Sequence, residues 1–313
     1  EGLEKLTENA QDIKPHVMTA VPRLYEKIYD KIILKGQELT GIKKKLFFWA
    51  VNLGLRYEPY GANGWWYEKQ LGLARKLIFS KWQAALGGEL KIMVSGASAL
   101  QQRLTRVFTA AGMPIMEGYG LTETSPVTSV SFVESNGKRG FRVGTVGKVI
   151  RDVEVKIAKN GEILIKGPNI MQGYYKDPEK TAEVIKDGYF HSGDKGEIDK
   201  DGFLKITGRT KEMFKTSGGK YVVPPLLEGE LKQSLFIEQV MVIGENEKMP
   251  AAIIQPNFEY LKDWAKENNI SYNSNEELII NEKVLAEITK AVNFCNKSFG
   301  SWEQIKRFEL TPD

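Results

Sequence analysis

Four short stretches of the sequence hold more hydroxyls, carboxylates, guanidinium groups and glycines than packing requires. The first is Glu117-Gly118-Tyr119-Gly120-Leu121-Thr122-Glu123-Thr124-Ser125-Pro126, at the end of an apolar run. Gly118 and Gly120 let a backbone approach a ligand closely. Thr122 offers a hydroxyl donor, Glu123 a hard oxygen for Mg²⁺, and Tyr119 a flat face for a purine. The alternative is a loop whose Thr and Glu cap a following helix. The second stretch, Tyr189-Phe190-His191-Ser192-Gly193-Asp194, sets an acid beside a glycine. An ionised Asp there can accept two hydrogen bonds from a ribose diol, and an Asx-turn is the alternative. The third, Gly208-Arg209-Thr210-Lys211-Glu212-Met213-Phe214-Lys215, is a charge cluster where two sequence textures meet; a solvated loop is its plainer reading. The fourth is Thr216-Ser217-Gly218-Gly219-Lys220. It fails the G-x-x-x-x-G-K-[ST] phosphate loop, because Phe214 stands at the first Gly and Tyr221 follows the Lys.

Other chemistries are excluded. One Cys and two His cannot build a zinc-ligand set, and no G-x-S-x-G elbow occurs. His16 and His191 read as surface or satisfied histidines, and Cys295 as a buried or bystander thiol in a reducing cytoplasm.

These groups need elements to hold them. Residues 1–90 read as mostly helical, with Leu24, Ile28 and Ile32 at helical spacing, Pro22 in a first turn and Lys43-Lys44-Lys45 on a solvated face. Lys91–Ser95 reads as a buried strand, Gly96-Ala97-Ser98 as a small-residue turn, 99–111 as a helix closing at Gly112, and 114–118 as a second strand. That order predicts a βαβ unit in a mainly parallel sheet, whose ligands bind beyond the carboxyl ends of the strands. From about residue 140 the period becomes two. Val153, Val155 and Ile157 alternate, then Ile163 and Ile165, around an Asn160-Gly161 turn read with positive φ at both positions. Beyond Arg209 the pattern predicts a helix after Pro224-Pro225, strands near 239–243, 250–255 and 304–310, and helices near 257–268 and 275–298. The fold class expected is α/β: the end of a large α/β domain over 1–139, a small β-barrel-like sheet over 140–208, and a compact α+β domain over 209–313.

Composition agrees with a globular chain of about two domains: 313 residues, 42% hydrophobic and 27% charged. The net charge of +4 is too small to imply nucleic acid, and no apolar stretch approaches the ~20 residues of a membrane helix. A cytoplasmic location, with room for peripheral contact with a membrane, is the expectation.

In order and spacing, Tyr119-Gly120-Leu121-Thr122-Glu123, then Tyr189 to Asp194, then Gly208-Arg209-Thr210-Lys211-Glu212, then Ser217-Gly218-Gly219-Lys220 resemble the adenylate-forming superfamily. Ala20-Val21-Pro22-Arg23-Leu24-Tyr25-Glu26-Lys27 resembles its bacterial long-chain fatty acyl-CoA synthetase branch. The resemblance implies a ligase that joins a fatty acid to ATP as acyl-AMP, releases pyrophosphate, and passes the acyl group to coenzyme A. It makes Glu123 the Mg²⁺ ligand and Thr122 a donor to the α-phosphate. It sets Gly96, Ala97 and Ser98 beside the adenine, with Tyr119 and Gly120 in the same ATP/AMP site. It makes Asp194 and Arg209 ribose contacts, Lys211 the hinge of a mobile last domain, and Gly218 and Gly219 the lining of the coenzyme A tunnel. Two family features are missing: the Lys-ending phosphate loop, which would lie upstream of Glu1, and the C-terminal catalytic Lys, a role that Lys306 does not match. The resemblance therefore implies a fragment, incomplete at its last domain, inactive alone and prone to self-association. An acyl-carrier-protein ligase or other adenylate-former, and a non-catalytic nucleotide-binding module, remain as alternatives.

Overall fold

A computed structural model describes residues 5–135 and 138–312. The strand–helix–strand unit is present as Ile92–Ser95, Gln102–Ala110 and Ile115–Gly120. Its two strands pair in parallel, Met93 with Ile115 and Ser95 with Glu117. The helix forms because Leu104, Val107 and Phe108 share one face. All three are fully buried in one cluster with Met93 and Ile115. Burial of each such side chain contributes ~1.5–3 kcal/mol.

This sheet runs Val17–Ala20, Ile92–Ser95, Ile115–Gly120, Val127–Val130, Lys148–Val149. The first two pairings are parallel and the last two antiparallel, so the sheet is mixed rather than mainly parallel. Val17–Ala20 is a strand inside the stretch read as helical. Four residues carry no period of their own, and the strand exists through pairing. The buried Tyr25 hydroxyl reaches the carbonyls of Val94 (2.8 Å) and Met18 (3.2 Å), pinning this strand to its neighbour. Around the sheet lie the helices Leu6–Ile13, Pro22–Glu38, Gly41–Leu55, Trp65–Ala74 and Ser80–Ala85, with a π-helical turn at Arg75–Phe79. Pro22 stands in a first turn and Lys43 to Lys45 are exposed, as expected. The helical reading of residues 1–4 lies outside the described residues.

The next sheet has the order Ile185–Lys186, Tyr189–Ile198, Glu162–Lys166, Glu154–Ile157, with Leu204–Arg209 paired to Tyr189–Ile198. Among the described residues it stays open and does not close into a barrel. Val155 faces Ile165 and Ile157 faces Ile163, which places the alternating apolar residues on one buried face. At the connecting turn only Gly161 takes a positive φ, 84°. The Gly161 N–H donates to the Ala158 carbonyl and the Ala158 N–H to the Glu162 carbonyl, both at 2.8 Å. This is a type I turn followed by a left-handed glycine, which leaves Asn160 free of the positive φ that a two-residue turn demands.

The contacts divide the chain into two units. One holds the residues up to Ser192 with Gly196–Thr207; the other holds Gly193–Lys195 with the residues from Gly208 on. In the second unit, Ile237–Ile243 pairs antiparallel with Ala251–Pro256, which pairs in parallel with Arg307–Leu310. The helix Pro224–Leu231 buries Leu227 and Leu231 in the same cluster as Ile254 and Ile288. The helix expected over 275–298 is two, Asn275–Ile279 and Glu282–Asn296. Asn281 breaks them: its side chain accepts the Lys283 N–H at 3.0 Å and caps the second helix. Cys295 is buried in that core, and burial pushes its thiol up to about 12.

Candidate nucleotide-activation site

The strand Ile115–Gly120 delivers Tyr119 and Gly120 to its carboxyl end, and a single 3₁₀ turn, Thr122–Thr124, follows. A strand, Val127–Val130, comes next, so the turn caps no helix. Thr124, fully buried, closes the turn on itself. Its Oγ1 accepts the Leu121 N–H at 2.8 Å and lies 2.7 Å from the Pro126 carbonyl. That closure leaves Thr122 exposed and Glu123 half-buried. Gly120 has a steric reason inside the chain: a Cβ there would stand 1.6 Å from the Pro126 oxygen. Tyr119 is half-buried and packs against the apolar cluster of Ile163 and Ile165.

The turn after Ile92–Ser95 runs beside this strand. A Cβ on Gly96 would lie 3.9 Å from the Gly118 carbonyl oxygen. Ala97 holds φ 72°, a left-handed conformation that costs an alanine ~1–2 kcal/mol, while Ser98 is exposed. The exit of the turn is anchored by a buried network. Gln101 donates to Glu26 at 3.0 Å, Arg103 donates to Gln101 at 2.7 Å, and Arg23 pairs with Glu26 at 3.3 Å.

A strap from the following sheet is tied to the Thr122–Thr124 turn. Asn169 Nδ2 donates to the carbonyls of Thr124 and Val127, both at 3.0 Å. The Met171 N–H donates to the Glu123 carbonyl at 2.8 Å. The Tyr174 hydroxyl donates to Glu123 Oε1 at 2.8 Å. Glu123 Oε2 meets no donor among the described residues. Those residues also contain no group of three His, Cys, Asp or Glu that could form a metal cage. Mg²⁺ binds instead through one or two carboxylates, with phosphates and waters filling its octahedron. A single carboxylate with one oxygen held and the other open fits that mode.

Glu117 faces the helix Gln102–Ala110, accepting from Thr105 Oγ1 at 3.1 Å. Ser95 lies opposite it on one flanking strand, and the Ser131 N–H donates to its carbonyl at 2.8 Å from the other. Both serine hydroxyls are buried without a hydrogen-bond partner among the described residues. Burial pushes the Glu117 carboxyl up to about 7. Because the folded value lies above the unfolded one of 4.5, the stabilisation is full below pH 4.5 and is lost as pH rises through about 7. A shift of that size corresponds to on the order of 3 kcal/mol. Glu117→Gln is therefore expected to melt close to wild type at pH 5 and clearly above it at pH 8. Parallel melting profiles across that range would show the carboxyl to be hydrated.

In the second unit, Asp194 is 4% exposed and accepts from Arg209 Nε at 2.7 Å. Arg209 also stands 3.8 Å from Glu212. The Thr210 N–H donates to the Gly193 carbonyl at 2.8 Å, and the N–H groups of Glu212 and Met213 return to the Arg209 carbonyl at 3.0 and 3.1 Å. Lys211 is exposed in this turn. Gly218 and Gly219 form the tip of the ribbon Phe214–Lys215 with Tyr221–Val222. The tip is closed by the Gly219 N–H on the Thr216 carbonyl at 2.8 Å. Gly219 takes φ 78°, and a side chain there would enter open space. His191 sits in the first unit, its Nδ1 3.3 Å from Glu162.

Within the first unit the structure thus gathers Gly96, Gly118 and the Tyr119–Glu123 segment. Within the second it joins Asp194 to Arg209, two residues before Lys211, and sets Gly218 and Gly219 at a separate tip. Residues to which the sequence alone gave no role are Tyr174, Asn169, Glu117 and the Glu26–Gln101 pair. The sequence signal at Glu26 is a carboxylate at helical spacing from Pro22 and Tyr29, and the structure buries all three.

The chain is 33% identical over 303 residues to the long-chain-fatty-acid–CoA ligase FadD15 of Mycobacterium bovis, covering 96% of this chain and 49% of that protein. The chain spans about half the length of the curated relatives it matches. Its fold matches the A domain of carboxylic acid reductase from Segniliparus rugosus, solved with AMP and a co-purified carboxylic acid, with a TM-score of 0.68 at 20% identity over 99% of this chain and 44% of that one. It also matches the O-succinylbenzoate coenzyme A synthetase of Bacillus subtilis, solved with ATP and magnesium ion, with a TM-score of 0.60 at 16% identity over 100% of this chain and 51% of that one. The sequence matches the family described as AMP-binding enzyme from residue 3 to residue 175, more than half its length, and the chain belongs to that adenylate-forming family.

Proposed function

We propose that this chain is the part of a long-chain fatty acid–CoA ligase that holds the nucleoside, the metal-binding carboxylate and the moving C-terminal domain. The observation that supports this most is the Thr122–Thr124 turn at the carboxyl end of a sheet strand, with Glu123 presenting one open oxygen, in a chain whose relatives are named for this activity over nearly its full length. In this reading Thr122 donates to the α-phosphate as charge builds there, and Glu123 holds Mg²⁺. When bound, Mg²⁺ neutralises charge on the triphosphate. Gly96, Ala97, Ser98, Tyr119 and Gly120 line the adenine side, and Asp194 and Arg209 hold the ribose. The fatty-acid carboxylate attacks the α-phosphorus, forming acyl-AMP and releasing pyrophosphate. The thiol of coenzyme A then attacks the acyl carbonyl and AMP leaves. Gly218 and Gly219 keep the thiol's approach clear of side chains.

In this reading Lys211 is the hinge about which the last domain moves between the two half-reactions. A proline there restricts both its own φ and the conformation of Thr210. Lys211→Pro, in the protein carrying this chain, is expected to slow thioester formation at least ~10-fold more than adenylate formation, a differential barrier of about 1.4 kcal/mol. Rapid-quench measurement of each half-reaction checks this, and equal loss of both would remove Lys211 as a hinge. Coenzyme A dependence of acyl transfer tests the acceptor: transfer to an acyl-carrier protein alone would favour the second reading.

A further inference from the structure

Tyr174 is fixed at three points. Its hydroxyl donates to Glu123 Oε1 at 2.8 Å, its backbone N–H donates to Thr181 Oγ1 at 2.9 Å, and the Lys180 ammonium lies 5.1 Å from its ring centre. Thr181 in turn donates to the Asp177 carbonyl at 2.8 Å, which locks the turn that carries the tyrosine. The same strap meets the Glu123 turn through Asn169 and Met171, so ring and carboxylate belong to one hydrogen-bonded frame. Asn169 Oδ1 is buried without a hydrogen-bond partner among the described residues, and the Nδ2 amide makes both of the side chain's bonds to the turn.

We propose that Tyr174 is a positioning residue for Glu123: its hydroxyl holds Oε1 and turns Oε2 outward, so that the carboxylate meets a divalent cation already oriented. This rests on the reading of Glu123 as the Mg²⁺ ligand. A half-buried carboxylate on a short turn has a free terminal rotation, and each orientation that faces away from the cation lowers affinity. A donor on one oxygen removes those orientations and leaves lone pairs on both oxygens for the metal. Partners of this kind typically change metal affinity by ~10–100-fold when removed.

Mn²⁺ serves as the probe. Its binding in the presence of ATP is followed by electron paramagnetic resonance on the protein carrying this chain. ATP binding in EDTA and thermal melting are measured alongside. Wild type is expected to bind Mn²⁺ with ATP, Glu123→Gln to lose most of that binding, and Tyr174→Phe to weaken it ~10–100-fold with ATP binding in EDTA and melting unchanged. Loss in Glu123→Gln with wild-type affinity in Tyr174→Phe would overturn the positioning role while leaving the metal ligand intact. Equal Mn²⁺ affinity in all three proteins, or no Mn²⁺ binding by wild type, would overturn the reading of Glu123 and the proposal with it. If Tyr174→Phe weakens ATP binding in EDTA as much as Mn²⁺ binding, or lowers the melting point sharply, the tyrosine is structural. Tyr174→His, which can still donate to Glu123, then distinguishes the two: recovered Mn²⁺ affinity supports positioning, and no recovery overturns it.

Discussion

Glu123→Gln lowers fatty-acid activation by ~10²-fold or more, the scale on which one preorganised electrostatic group acts. Gln keeps the size of the side chain and an oxygen that the Tyr174 hydroxyl can still reach. It replaces the open carboxylate oxygen with an amide nitrogen, which offers Mg²⁺ neither charge nor a lone pair. The Thr124 closure and the Asn169 and Met171 bonds use other atoms, so the turn itself is retained. The loss is therefore expected in the adenylate-forming step, with melting unchanged. Pre-steady-state release of pyrophosphate measures it. An unaltered rate with unaltered Mg²⁺ dependence would remove Glu123 from the site.

Gly120→Ala is the second large effect, and its origin is mechanical. A Cβ at Gly120 would meet the Pro126 oxygen at 1.6 Å, the Pro126 carbonyl carbon at 2.6 Å and Val127 Cα at 3.0 Å. All three are backbone atoms, so no side-chain rotation relieves the overlap. The register shift between Tyr119 and Gly120 is where the two strands come this close. Parting them breaks the closure by Thr124 and displaces Thr122 and Glu123 together. Overpacking of this kind costs ~1–3 kcal/mol or more. The expected result is a melting point several degrees lower and activation too slow to follow. Gly118→Ala is the internal control, because its Cβ would meet only the Ser129 oxygen, at an ordinary 3.6 Å. Equal melting of the two variants would show that the strand accommodates a side chain at Gly120.

The two glycines show what a sequence conveys and what it withholds. Gly118 and Gly120 draw equal notice in the sequence beside Thr122 and Glu123, because the four lie in one short stretch. That only Gly120 is forced by backbone depends on a strand seven residues on. The βαβ unit and the alternation around Asn160-Gly161 are readable because each follows from a local period. Val17–Ala20 is not, since its pairing partner begins at Ile92. Tyr174 lies 51 residues from Glu123, and Gly173-Tyr174-Tyr175 has no local pattern pointing back to it. Asp194 and Arg209 stand out in the sequence separately, one as an acid beside a glycine and the other within a charge cluster. Their mutual ion pair, which buries the carboxylate, is a product of the fold.

The most direct test is exchange of labelled pyrophosphate into ATP by the protein carrying this chain, with a long-chain fatty acid present and coenzyme A absent. Exchange reports the reversible formation of acyl-AMP alone, before any acceptor is involved. Exchange that requires both the fatty acid and Mg²⁺, and that Glu123→Gln abolishes, is the predicted result. Binding of ATP with no exchange for any carboxylic acid offered, or exchange that survives Glu123→Gln, would contradict it.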